Sequence, residues 1–89
     1  MGQISTKVLK ELENDMDYIS MLFYRWKDES NYEDFNDYIE AIKKRLHYVT
    51  ILDIKNYDNT TFIIEFKDEY DSVFYIKVLE ESIILTDTK

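Results

Sequence analysis

The chain has 89 residues, a net charge of −8, no cysteine, no proline and a single glycine, Gly2. Such a length forms one domain, spanning 1–89, with a modest core, and a chain without cysteine has no disulfide, thiol nucleophile or cysteine-ligated zinc. Because 45% of the residues are hydrophobic and 16% aromatic, the acidity is not that of a disordered tail, and the chain is expected to fold.

The first half carries helical periodicity. Ile4, Val8, Leu12, Ile19, Leu22, Phe23 and Trp26 fall on one side of a helical wheel, which predicts a helix over about 4–28, with Ser5 or Thr6 as its cap. Asp15 interrupts that stripe. Either it lies at a helix–helix margin, or the helix breaks near Asn14 and Asp15 caps its second part. Ser30 and Glu33 have capping-box spacing for a second helix over about 31–46, whose apolar stripe is Tyr32, Phe35, Ile39, Ile42 and Leu46. Lys43, Lys44 and Arg45 suit its C-terminal end, where cations meet the negative end of the dipole.

After His47 the period changes to two. Strands are predicted at about 48–56, 61–67, 72–79 and 82–86, with Phe62, Ile64 and Phe66 on one face of the second and Phe74, Ile76 and Val78 on one face of the third. Tyr48 and Tyr75 read as sheet-packing residues. Asp58-Asn59, Lys67–Asp71 and Glu80-Glu81 supply turns, which makes an antiparallel meander. The expected fold class is α+β: an N-terminal antiparallel helical pair packed on a four-stranded antiparallel β-meander, ααββββ.

Catalytic chemistry finds little footing in these residues. His47 is the only histidine and sits at the junction of helix and strand, away from any recognisable acid–base motif. Without glycine inside the chain there is neither a P-loop nor a dinucleotide fingerprint. Glu13, Asp15 and Asp17 alternate along a helix, so they spread over different faces and do not form a metal cluster. No catalytic residue, metal or cofactor is therefore expected. The N-terminus lacks a secretory pattern and no apolar run is long enough to span a membrane, so the expected location is the cytoplasm.

The charge is unevenly spread. Residues 1–10 carry two lysines and no acid, 11–40 carry ten acids against Arg25 and Lys27, and 41–89 carry nine acids against seven bases. Glu33, Asp34, Asp37 and Glu40 face away from the apolar stripe of the second helix, with Asp28, Glu29 and Tyr38 at the margin. The outer face of the first helix adds Glu13, Asp17, Met21 and Tyr24. An acidic surface interspersed with Tyr and Met suits a basic, partly apolar partner and disfavours direct binding to nucleic acid, which needs clustered Lys and Arg. A solvated helix face tuned for solubility would carry the same charges.

In size and composition the chain resembles small phage or mobile-element inhibitors, among them the uracil-DNA glycosylase inhibitors and anti-CRISPR proteins, some of which mimic DNA. The resemblance is one of general character and rests on no motif. It implies a non-catalytic domain in the host cytoplasm that blocks a basic nucleic-acid-binding surface, with partner-binding residues Asp17, Asp28, Glu29, Glu33, Asp34, Asp37, Tyr38 and Glu40. Two alternatives remain: a homo-oligomeric or scaffold protein that assembles through sheet edges such as Ser82–Thr86, and an immunity-type neutraliser of a basic toxin.

Overall fold

The computed structural model describes residues 4–28, 35–57, 61–79 and 81–87, without the side chains of Trp26, Lys27, Asp28 and Phe35. Two helices, α1 (Thr6–Asp28) and α2 (Phe35–Arg45), precede four strands, β1 (Thr50–Tyr57), β2 (Thr61–Lys67), β3 (Val73–Val78) and β4 (Ile83–Thr86). The strands form one antiparallel sheet in the order β1-β2-β3-β4. The expected ααββββ arrangement is the one observed. The capping box at Ser30 and Glu33, and Tyr32 in the α2 stripe, lie outside the described residues, as does the Asp58-Asn59 turn.

The periodicities explain the layers. Val8, Leu12, Ile19, Leu22 and Phe23 of α1 and Ile42 on α2 are buried, together with Leu46 just beyond it. They meet the sheet face made by Ile54, by Phe62, Ile64 and Phe66, and by Phe74, Ile76 and Val78, which the register sets side by side. Phe23 and Phe62 join the layers, with ring centroids 5.2 Å apart. Alternate residues such as Glu65, Tyr75 and Lys77 occupy the other face, which the helices do not cover. At about 1.5 Å per residue, the 23 residues of α1 account for most of the molecule's 39 Å long axis.

The start of α1 depends on more than its own sequence. Its first described intrahelical bond runs from Leu9 N–H to Ser5 O, 2.9 Å, which makes Ser5 the N-cap. The first turn contains no acid to complement the helix dipole. Asp68, from the turn between β2 and β3, supplies one: its Oδ2 accepts a hydrogen bond from Ser5 N–H at 3.3 Å. The same carboxylate accepts the N–H groups of Tyr70 (2.9 Å) and Ser72 (3.1 Å) through Oδ1. The backbone of that turn pairs Asp71 N–H with Asp68 O and Asp68 N–H with Ser72 O, and Asp71 takes the left-handed conformation, φ 62°. This is the three-residue hairpin loop that usually favours glycine or asparagine at the left-handed position; Asp is also tolerated there.

Several boundaries differ from expectation by one or two residues. The first strand begins at Thr50, not at residue 48, because residues 46–49 turn, with Val49 N–H on Leu46 O at 3.3 Å. Tyr48 consequently precedes the sheet and does not pack within it. The third and fourth strands each begin one residue late, since Ser72 belongs to the Asp68 turn and Ser82 closes the β3–β4 turn by accepting Leu79 N–H at 2.8 Å. Finally, α1 runs unbroken through Asp15, so Asp15 is a helix–helix margin residue and not an internal cap.

Candidate functional site

Asp15 projects from the buried side of α1 and is only 7% exposed. A carboxylate in that position needs partners, and two converge on it. Arg45, in the last turn of α2, donates from Nε to Oδ1 at 2.8 Å, and the Tyr48 hydroxyl donates to Oδ2 at 2.9 Å. The Arg45 guanidinium also lies 4.7 Å above the Tyr18 ring, one helical turn along α1 from Asp15. Asp15 thus ties α1, α2 and the α2–β1 turn at one point. The ion pair holds Arg45 above its usual pKa, chiefly through its hydrogen bond to Asp15. Burial pushes the Tyr48 phenol well above its ordinary value, and the Asp15 charge adds to the shift.

An open groove of about 800 Å³ runs beside this cluster between the two helices. Its lining combines Asp37 and Glu40 with Lys43, Lys44, Arg45, Tyr18 and Ala41. Asp37 and Glu40 are exposed, as the wheel predicts, while Tyr38 is half-buried and packs against the core. Asp17 is exposed on the opposite side of α1 from its buried stripe and does not line the groove. Near it on that outer face, Met21 and Tyr24 are 45% and 42% exposed. Glu29, Glu33 and Asp34, and the side chain of Asp28, lie outside the described residues.

The groove also shows what the wheel alone omits. Lys43 and Lys44 follow Asp37 and Glu40 within a turn or two of α2, so the acidic stripe ends in a basic one. Arg45 and Tyr18 were not among the expected site residues. The signal for them was the interruption at Asp15, which demanded a cation, and the only run of three bases in the chain stood at 43–45. His47 is exposed at the junction, its ring edge-on to Tyr48 at 5.6 Å.

Among the described residues no cluster of three or more His, Cys, Asp or Glu could hold a metal ion, and no helix is long and apolar enough to cross a membrane. Compared with family models, with curated proteins and with solved structures, the chain matches none of them.

Proposed function

We propose that this chain is a non-catalytic protein-binding domain whose outward helical carboxylates dock on a basic surface of a partner in the cytoplasm. The observation that carries the reading is the outer face of α1, where the exposed Met21 and Tyr24 accompany the exposed carboxylates Glu13 and Asp17. Large apolar side chains left in water between charges are the composition of a mixed binding surface more than of a purely solvated one. Asp37 and Glu40 extend the acidic surface onto α2. Arg45 subtracts little from it, because its charge is engaged by Asp15, and the exposed Lys43 and Lys44 mark where the acidic surface ends.

The partner that suits this surface best is a nucleic-acid-binding enzyme, with carboxylates taking the place of phosphates on its Lys and Arg residues. Glu29, Glu33 and Asp34, next in sequence to the described acids, belong to the same proposal. Inhibition of such an enzyme would follow from occupation of its nucleic-acid surface, with no chemical step.

The test is capture of proteins from a bacterial lysate on the immobilised chain at low salt, beside a Glu33/Asp34/Asp37/Glu40→Lys variant. A nucleic-acid enzyme held by the native chain, lost with the variant and released by duplex DNA is the expected result. Retention of the same partner by the variant, or release by salt but not by duplex DNA, would overturn the mimicry.

A further inference from the structure

We infer that the outer edge of β4 is a self-association site that pairs two copies of this chain across a two-fold axis at Ile84. The two edges of the sheet are unlike. β1 carries a bulge between Ile51 and Asp53, and it places Asp53 and Lys55 along the edge, their charged ends 3.6 Å apart. Bulges and charges are the usual means by which an edge strand is kept from pairing. β4 is regular throughout its pairing with β3 and reads Ile83-Ile84-Leu85-Thr86, with no charge.

The ladder fixes which backbone groups of β4 are turned outward. Leu79 N–H donates to Ser82 O, so residues 79 and 82 form a hydrogen-bonded pair. Hydrogen-bonded and non-hydrogen-bonded pairs alternate in an antiparallel ladder. With Val78 opposite Ile83 and Ile76 opposite Leu85, the backbone N–H and C=O groups of Ile83 and Leu85 point away from β3. A second β4 running antiparallel with Ile84 on the axis sets Ile83 opposite Leu85 of the second copy, and Leu85 opposite its Ile83. Both outward pairs then exchange backbone hydrogen bonds.

The side chains agree with that register. Ile84, 44% exposed on the face away from the helices, meets its own copy. On the helix side, Ile83 of the second copy lies beside Leu85. Leu85 forms one wall of a groove of about 580 Å³ between the start of α1 and the sheet, whose other apolar walls are Ile4, Leu9 and Phe74. A strand added at an edge with its alternate side chains beside such a groove is a recurrent recognition mode. The central facing pairs in this register, Ile84 on Ile84 and Ile83 on Leu85, are apolar and Ser82 meets Thr86, so the strand is complementary to itself and the occupant is a second copy of the chain.

Beyond those pairs, Glu81 of one copy faces Asp87 of the other, and each copy has a net charge of −8. Association is therefore weak at low salt and strengthened by added salt, opposite in sign to the docking of the acidic helical face on a basic partner. The two proposals use different surfaces, and either can fail without the other.

The test is sedimentation equilibrium from micromolar to millimolar concentration at low and high salt. The native chain, Ile84→Lys and, as a control on the other edge, Leu52→Lys are compared, with amide exchange followed in the native chain. The expected result is a mass rising from one chain towards two, further at high salt, with about tenfold or greater weakening by Ile84→Lys, which opposes two cations on the axis. Leu52→Lys should behave as the native chain, and the Ile83 and Leu85 amides should exchange more slowly at higher concentration. A mass of one chain under every condition overturns the inference and leaves the edge to a strand of another protein. Association undiminished by Ile84→Lys, or equally lost in Leu52→Lys, also overturns it, and the exchange of Ile83 and Leu85 decides the matter if Ile84→Lys does not fold.

Discussion

Ser5 and Asp68 are 63 residues apart, yet the backbone N–H of Ser5 donates to the Asp68 carboxylate and so joins the start of α1 to the β2–β3 turn. Asp68 is 4% exposed and holds two further N–H groups, Tyr70 and Ser72, so one side chain organises the hairpin loop and caps the helix. Both tasks follow from the same chemistry. An ionised carboxylate has two oxygens with room for several donors, and it stabilises the positive end of a helix.

Replacement of Asp68 by Ala should destabilise the fold by about 1–3 kcal/mol, because three N–H groups, that of the buried Ser5 among them, lose a charged acceptor. Amide exchange of Ser5, Tyr70 and Ser72 should accelerate together. If Tyr70 and Ser72 accelerated while Ser5 did not, the link between hairpin and helix would contribute nothing.

Asp15 and Tyr48 should be energetically coupled. Asp15→Ala leaves a partly buried phenol and a half-exposed guanidinium without their acceptor and should cost roughly 1–3 kcal/mol. Tyr48→Phe should cost less, since it removes a donor and leaves Arg45 on Asp15. A double-mutant cycle measured by urea unfolding should return a coupling of about 0.5–3 kcal/mol. Additive effects of the two substitutions would contradict the observed geometry.

The pH dependence has a definite sign. In the unfolded chain a tyrosine titrates near its ordinary value of 10.0, whereas in the folded chain burial and the Asp15 carboxylate hold the Tyr48 proton to higher pH. The folded state therefore binds more protons above about pH 10. The stabilisation from Tyr48 is complete below that pH and is lost as pH rises towards the raised folded value. Ultraviolet titration should show a phenol that ionises above the ordinary range or only on unfolding, and Tyr48→Phe should remove that late step and flatten the alkaline fall in stability.

The contact between the two layers should be the most sensitive to truncation. Phe62 is fully buried and packs on Phe23, so Phe62→Ala should cost about 3–5 kcal/mol. By contrast Met21→Ala, on the outer face of α1, should change stability by no more than about 0.5 kcal/mol. Chemical denaturation of both variants provides the comparison. A large loss from Met21→Ala would mean that α1 presents a different face to the sheet.

Most of the architecture was legible before any contact was known. The 3.6-residue stripe from Val8 to Phe23 and the alternation through Phe62–Phe66 and Phe74–Val78 each select one element type and one buried face, because side-chain direction follows from backbone period. Turn residues then limit the strands to a meander. The acids of α2 were equally readable: Asp37 and Glu40 are exposed where the wheel puts them. Boundaries were less so. Tyr48 has the composition of a strand residue, but its hydroxyl finds a better partner in Asp15, and the chain turns before β1 begins.

The local pattern could mark Asp15 and Asp68 only as anomalies, one acid in an apolar stripe and one in a turn. Their meaning depends on which distant donors fold against them: Arg45 and Tyr48 for Asp15, and Ser5 for Asp68. Periodicity is a property of neighbours along the chain and survives in any short window of sequence. The satisfaction of a buried charge depends on groups 30 or more residues away, whose approach is set by the packing of the helices on the sheet, and so it exists only once the layers have come together.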